Sequence, residues 1–285
     1  MQVNLIPIFE DNYCYLVHGS KKENCLLVDP ADEDIIYDWL QKNPELMVSH
    51  VLLTHKHGDH AGGAPGLVER LEEDYKAAGK PTTIEIVIGA GENQSFGTKK
   101  VKGVGTFEVN EIKVKHISVP CHTGGHQIYY LEDLNNKEKK NDPSEPKTVY
   151  RCVFTGDTLF IGGAGKFFEG TAEQMQKNFD EIRKLPEDTF VFCGHDYALA
   201  NFQWASAIFP ENEALMSRYR WAEEMNKKGI CTIPSTVKDE IETNIFMMTG
   251  DPALQKKFGV EDEASLMKEL REWKDQKKTF ESKNE

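Results

Sequence analysis

The chain has 285 residues, with 47 Asp+Glu against 34 Lys+Arg and a formal net charge of −13. Hydrophobic residues at 39% and charged residues at 28% exclude a globally disordered chain and supply a core for one large domain or two ordinary ones. The acidity excludes a polyanion binder unless a local basic patch exists, and the only short one, Lys99-Lys100-Val101-Lys102, reads as a solvated turn.

In chain order, residues 3–8, 13–17, 25–28 and 50–53 are apolar runs rich in Val, Ile, Leu and Tyr, and are expected as strands. Between them, residues 33–42 have helical spacing, with Ile35, Ile36, Trp39 and Leu40 on one face. A helix follows at 66–78, then strands at 84–88, 106–109, 111–119, 127–131, 149–155 and 189–193. A second helix at 171–185 opens with the capping-box pattern Thr171-Ala172-Glu173-Gln174. The polar segment 135–147, with two prolines, is expected as a solvent loop. After Asp196 the strand patterns stop, and 197–209, 213–228, 236–246, 252–258 and 263–278 read as helices. A β-rich part followed by a helical part divides the chain into units 1–196 and 197–285.

The six cysteines are scattered without a CxxC pair, so free and mostly buried thiols are expected rather than a disulfide framework. The N-terminus carries no charged stretch leading into an apolar run, and no segment approaches 18 apolar residues. A cytoplasmic protein without a membrane span is the expectation.

Chemistry concentrates in Thr54-His55-Lys56-His57-Gly58-Asp59-His60, directly after the apolar run Val51-Leu52-Leu53. His55 and His57 are two apart, so in extended backbone they project to one side and can grip one ion. Asp59 and His60 follow Gly58, where the chain can turn toward a second position. A catalytic ion needs about three protein ligands and an open position, so further ligands must come from elsewhere. His122, Asp157 and His195 each stand in a Gly/His/Asp turn after an apolar strand. His18, His50, His116 and His126 are read as structural, with His126 the nearest to a hydrogen-bonding role at the site.

The 54–60 segment resembles the T-H-x-H-x-D-H signature of the metallo-β-lactamase superfamily, and His122, Asp157 and His195 match its later positions in order. The resemblance implies an αββα sandwich with the site at one edge, followed here by a smaller all-helical domain. Over nearly the whole chain the sequence is similar to the glyoxalase II (hydroxyacylglutathione hydrolase) family. The similarity is carried by Ile6-Pro7-Ile8-Phe9-Glu10-Asp11-Asn12-Tyr13, Pro120-Cys121-His122-Thr123, Phe154-Thr155-Gly156-Asp157-Thr158-Leu159-Phe160, Gly165-Lys166-Phe167-Phe168-Glu169-Gly170-Thr171-Ala172, Cys193-Gly194-His195-Asp196-Tyr197 and Pro234-Ser235-Thr236.

That resemblance implies two divalent ions, zinc with iron or manganese as alternatives. His55, His57 and His122 would hold one ion, Asp59, His60 and His195 the other, and Asp157 would bridge them, with Asp59 also taking part in catalysis. It further implies hydrolysis of a glutathione thioester, most plainly S-D-lactoylglutathione, with the glutathione part bound by Lys166, Tyr197, Arg271 and Lys274. Phe168 stands where the family has Tyr, and Asn244-Ile245-Phe246 departs from the family's Asn-Pro-Phe. The expected partner is therefore a small thioester, with no nucleic acid and no membrane, acting on a monomer.

Three other readings compete. A persulfide dioxygenase of the same superfamily uses one iron and lacks the long helical tail. An RNA-processing nuclease needs a basic surface. A structural metal module is expected to close its shell with Cys. A thioesterase acting on another thiol carrier is a variant of the main reading.

Overall fold

The computed structural model describes residues 1–81, 83–145 and 148–280. The first sheet is built from β1 (Gln2–Ile8), β2 (Asn12–His18), β3 (Cys25–Val28), β4 (Val48–Leu52), β5 (Glu85–Gly89) and β6 (Lys99–Val101), adjacent in that order. The second contains β7 (Val104–Val109), β8 (Ile112–Ser118), β9 (Gln127–Asp133), β10 (Arg151–Gly156), β13 (Phe190–Cys193) and β14 (Ser235–Thr236). The small pair β11 (Leu159–Phe160) and β12 (Gly163–Ala164) follows β10. Helices α1 (Glu33–Gln41), α2 (Gly58–Ala61), α3 (Ala64–Ala77) and α4 (Ala172–Arg183) connect the strands. Then α5 (Ala198–Ile208), α6 (Glu213–Lys228), α7 (Val237–Thr243), α8 (Pro252–Phe258) and α9 (Glu263–Asp275) form the helical tail.

Side-chain alternation explains the layering. On β2, Tyr15 and Val17 point between the sheets, while Cys14 and Leu16 point toward α1 and α3. On β3, Leu26 and Val28 face inward and Cys25 and Leu27 outward. In the second sheet, Cys152, Phe154, Phe190 and Phe192 face the first sheet, whereas Val153 and Val191 face α4 and the tail. Three apolar layers thus lie between four layers of secondary structure, which is an αββα sandwich. Strands β3 to β6 run parallel, and the inner ones β3 and β5 are largely buried on both faces, as is usual for parallel strands.

The tail is tied to the sandwich. β14 pairs antiparallel with β13. Leu266, Met267, Leu270 and Trp273 of α9 pack with Met175, Phe179 and Ile182 of α4 in one cluster. Thr171 caps α4: its hydroxyl accepts from Gln174 N–H and Gln174 returns a bond to the Thr171 N–H. Thr171→Ala is expected to cost about 1 kcal/mol and to lower the thermal midpoint by ~2 °C in a calorimetric scan.

Several segments differ from expectation: β14 is a strand beyond Asp196, where strands were expected to stop, because pairing with β13 rather than its own two-residue pattern makes it one, and the β11/β12 pair is likewise too short to read. Lys99–Val101 is an edge strand rather than a turn. Val101 is buried, while Lys99 Nζ bonds Glu85 at 2.8 Å and lies 4.2 Å over the Phe107 ring. Three residues are too few for periodicity to show, and lysine is a usual edge residue. The 135–147 loop is anchored rather than free in solvent where it is described, to residue 145. Asn141 is buried, donating to Arg151 O and Asp188 O at 2.6 and 2.8 Å and accepting from Tyr150 N–H at 2.7 Å. Residues 146 and 147 lie outside the described residues. The cysteines are free, five buried and Cys231 half-buried. At Ile245, where the family has Pro, the chain forms a 3-10 turn capped by Asn244, with Ile245 itself buried.

Candidate metal centre

Strand ends deliver the site. β4 leads into Thr54, whose N–H and hydroxyl both donate to the Asp29 carboxylate at 2.8 and 2.6 Å. His55 follows, buried, and His57 sits in extended conformation as the residue before α2. The single turn of α2 then carries Asp59 and His60 away from His57. His122 lies beyond β8, Asp157 directly after β10 and His195 after β13. Gly156 precedes Asp157 with φ +48, and a Cβ there would lie 2.5 Å from Thr54 Oγ1. Only glycine allows that approach.

His55 Nε2 lies 3.0 Å from His57 Nδ1, and His122 Nε2 lies 3.1 Å from the same atom. Nitrogens around one tetrahedral ion stand about 3.3 Å apart, so this triad is close to ligating geometry. Asp157 faces both ways. Its Oδ2 is 3.5 Å from His122 Nε2, while Oδ1 is 3.2 Å from His60 Nε2 and 3.6 Å from His195 Nε2. Asp59 Oδ2 is 3.5 Å from His195 Nε2. Among the described residues, three groups able to hold an ion result: His55/His57/His122, His55/His60/Asp157 and Asp59/His60/His195.

These side chains suit a cation. His60 Nε2 and Asp157 Oδ1 are buried without a hydrogen-bond partner. Such an orphaned atom costs about 1–3 kcal/mol, which a cation between them offsets. Burial, followed by the neighbouring imidazoles, pushes the His55 pKa well down, and burial also lowers that of His122. Both rings therefore stay neutral at pH 7, the form that binds metal. Burial opposes ionisation of Asp157, but His60, His195 and His122 outweigh it and hold the carboxyl well below its usual range. Burial likewise disfavours charge on His60, and Asp157 and Asp29 reverse it. The centre thus attracts positive charge.

Three of the imidazoles are aimed by a partner on their other nitrogen. His60 Nδ1 is 3.0 Å from Asp29 Oδ2, His195 Nδ1 2.8 Å from Asp11 Oδ1, and His122 Nδ1 3.0 Å from Lys166 O. Such partners fix ring orientation and tautomer. The sequence reading assigned no role to Asp11 or Asp29. Both follow strand-like runs; Asp11 stands in the 6–13 stretch that carries the family similarity, but the histidines they aim lie far along the chain, so no local spacing marks the role. His126 takes the hydrogen-bonding role expected of it: its Nε2 accepts from Asp157 N–H at 3.3 Å and its ring stacks on His55 at 4.7 Å.

A cleft of about 290 Å³ opens beside His122 and Asp157, and Lys166, Phe168, Tyr197, Arg271 and Lys274 line it. Phe168 is exposed and packs against His122 and His57 with centroids 5.1 and 5.9 Å away. Tyr197 stacks on His195 at 4.8 Å and 10°. Burial raises its phenol pKa, so the hydroxyl remains a donor. Arg271 is buried; it donates to Ala164 O at 3.0 Å and pairs with Asp275 at 2.7 Å. Lys274 Nζ donates to Asn201 Oδ1 and faces Trp204 and Phe246 at 5.6 and 5.7 Å. Burial, and then the charge of Arg271, push its pKa down to about 7.

An αββα sandwich with a His/Asp centre at its edge defines a metallohydrolase of the metallo-β-lactamase superfamily, and residues 8–134 match that superfamily. Residues 196–277 match the hydroxyacylglutathione hydrolase C-terminus. A cytoplasmic hydroxyacylglutathione hydrolase of Arabidopsis thaliana is 36% identical over 277 residues, covering 97% of this chain and 99% of the relative. A hydroxyacylglutathione hydrolase of Pseudomonas putida (strain F1) is 33% identical, covering 96% and 99%. The chain belongs to the hydroxyacylglutathione hydrolase family, whose members are thioester hydrolases. Among solved structures, ETHE1 from Myxococcus xanthus matches with TM-score 0.59 at 22% identity, covering 95% of this chain and 90% of that one. A metallo-beta-lactamase from Staphylococcus aureus matches with TM-score 0.57 at 20% identity. There the match covers 91% of this chain but only 62% of the other. These two similarities show the fold.

Proposed function

We propose that the chain hydrolyses S-D-lactoylglutathione to D-lactate and glutathione at a pair of divalent ions, zinc with iron or manganese as alternatives. The observation that carries this reading is the juxtaposition of the Asp157-linked ligand groups with a cleft lined by Lys166, Arg271 and Lys274. His55, His57 and His122 would hold one ion, Asp59, His60 and His195 the other, with Asp157 shared. Bound there, such a pair supplies an acidified water and Lewis-acid polarisation of the thioester carbonyl.

The chain's own residues do the rest. Lys166, Arg271 and Lys274 concentrate positive charge on a protein of net charge −13 and receive the carboxylates of glutathione. Tyr197, held on the His195 ring, offers its hydroxyl to the same moiety. Asp59, half-exposed at the mouth, takes the proton of the attacking water at its carboxylate. The departing thiolate has a low enough pKa to leave without a general acid. Residues 197–285 form the substrate-binding unit in this reading, because α9 carries Arg271 and Lys274. We place the protein in the cytoplasm as a monomer. Support for the placement is the name of the Arabidopsis relative and the free cysteines.

The test is hydrolysis of S-D-lactoylglutathione by the metallated chain, followed as loss of thioester absorbance, before and after chelation. Turnover that disappears on chelation and returns with zinc, iron or manganese is the expected result. A fully metallated chain that leaves the thioester intact overturns the reading.

A further inference from the structure

The segment between β12 and α4 touches both histidine loops through one side chain. Glu169 Oε1 accepts from Lys56 Nζ at 2.6 Å, and Lys56 lies between the expected ligands His55 and His57. Glu169 Oε2 accepts from Gly124 N–H at 2.6 Å, two residues beyond His122. The Glu169 N–H itself donates to Cys121 O at 3.0 Å. On the far side of that loop the buried Glu92 accepts from the Thr123 hydroxyl. The hydrogen bond to Lys56, then that from Gly124, lower the Glu169 pKa, so its carboxylate is charged around neutrality.

The immediate neighbours of Glu169 are the residues that face the cleft. Phe168 rests on the rings of His57 and His122, and the Lys166 carbonyl lies 3.0 Å from His122 Nδ1. A segment contacting two separate loops through its rings needs a fixed anchor point, and Glu169 is where it is bonded to both.

We propose that Glu169 is a positioning residue for the thioester. By holding Lys56 with one carboxylate oxygen and the Gly124 N–H with the other, it straps Lys166 and Phe168 across the two histidine loops and so sets the site's affinity for the thiol moiety. The proposal rests on the glutathione-thioester reading. The pair is one-third exposed on both sides, with side-chain exposures of 31% and 39%. Its contribution to global stability is therefore small, and its effect is local.

The experiment compares metallated wild type with Glu169→Gln, Lys56→Met, Lys56→Arg and the Lys56→Met/Glu169→Gln double variant. Readouts are KM and kcat for S-D-lactoylglutathione, the calorimetric dissociation constant of glutathione, metal content, and hydrogen exchange in residues 165–170. Glu169→Gln and Lys56→Met each raise KM and the glutathione constant about three- to tenfold. In both, kcat changes far less, metal content is unaltered and exchange in 165–170 is faster. The double variant is no worse than Glu169→Gln alone, because the two act as a unit, and Lys56→Arg restores KM. Unchanged KM with unchanged exchange overturns the strap. So does metal loss in Glu169→Gln, or strictly additive effects of the two changes. If wild type fails to cleave the thioester, the functional reading falls, and the exchange data alone still decide whether Glu169 straps the segment.

Discussion

Asp157→Ala is expected to strip the chain of at least one of the two ions proposed for it and to lower kcat/KM by more than ~10²-fold. The bound comes from a comparison. Removing a residue that merely orients a ligand costs about 10–100-fold in metal affinity or activity, and Asp157 is the one carboxylate among the described residues that faces His122 through one oxygen and His60 and His195 through the other. Its loss also leaves His60 and His195 facing each other across the site without the intervening negative charge. Asp29→Ala supplies the contrast. Asp29 aims His60 and anchors Thr54 from behind, so its removal weakens metal binding within that 10–100-fold range and excess metal restores turnover. Metal content by elemental analysis, together with turnover at saturating metal, separates the two. Two tightly bound ions in Asp157→Ala would remove Asp157 from the ligand set.

The second large effect concerns pH. Lys274 has its pKa near 7 in the free chain, because burial and the adjacent Arg271 disfavour its charge. An anionic substrate binds the protonated form. The sign follows: below pH 7 the ammonium is present and KM is low, and as pH rises through 7 toward 9 the free chain loses the charge and KM climbs. A hydrogen bond to a charged group contributes about 1.5–3 kcal/mol, so the rise is roughly 10- to 100-fold before it levels. Lys274→Met is expected to show the high KM at every pH, with a flat profile. Lys274→Arg keeps the charge and stays low above pH 7. A KM profile in wild type that is flat between pH 6 and 9, with kcat alone varying, would take Lys274 out of substrate binding. The kcat profile is a separate quantity, governed by the metal centre.

The candidate donors that the structure brings together were legible in the sequence, because the spacing of His55, His57, Asp59 and His60 is itself chemical information. The layering came through the family resemblance; the near-continuous apolar runs on β2, β3, β10 and β13 by themselves record only that these strands are buried on both faces. The capping box at Thr171 was readable because its partners lie three residues apart. Interactions that span the chain were not readable. Asp11 reaches His195 across 184 positions and Asp29 reaches His60 across 31, and no local pattern encodes either pairing. The short edge strand at Lys99–Val101 escaped because its place is set by its neighbour β5 and by Glu85 rather than by its own composition.

The charge state of the cleft shows the same division. Sequence supplies Arg271 and Lys274 one helical turn apart on α9, and by itself that spacing describes a solvated helix face. The packing of α9 against α4 and the Ala164–Gly165 backbone buries Arg271, and Asn201, Trp204 and Phe246 cover Lys274, whose pKa burial lowers. By itself the sequence determined which groups exist and which strands deliver them. The tertiary structure decided which of those groups are desolvated, and desolvation is what brings the pKa of a helix-face lysine down to about 7.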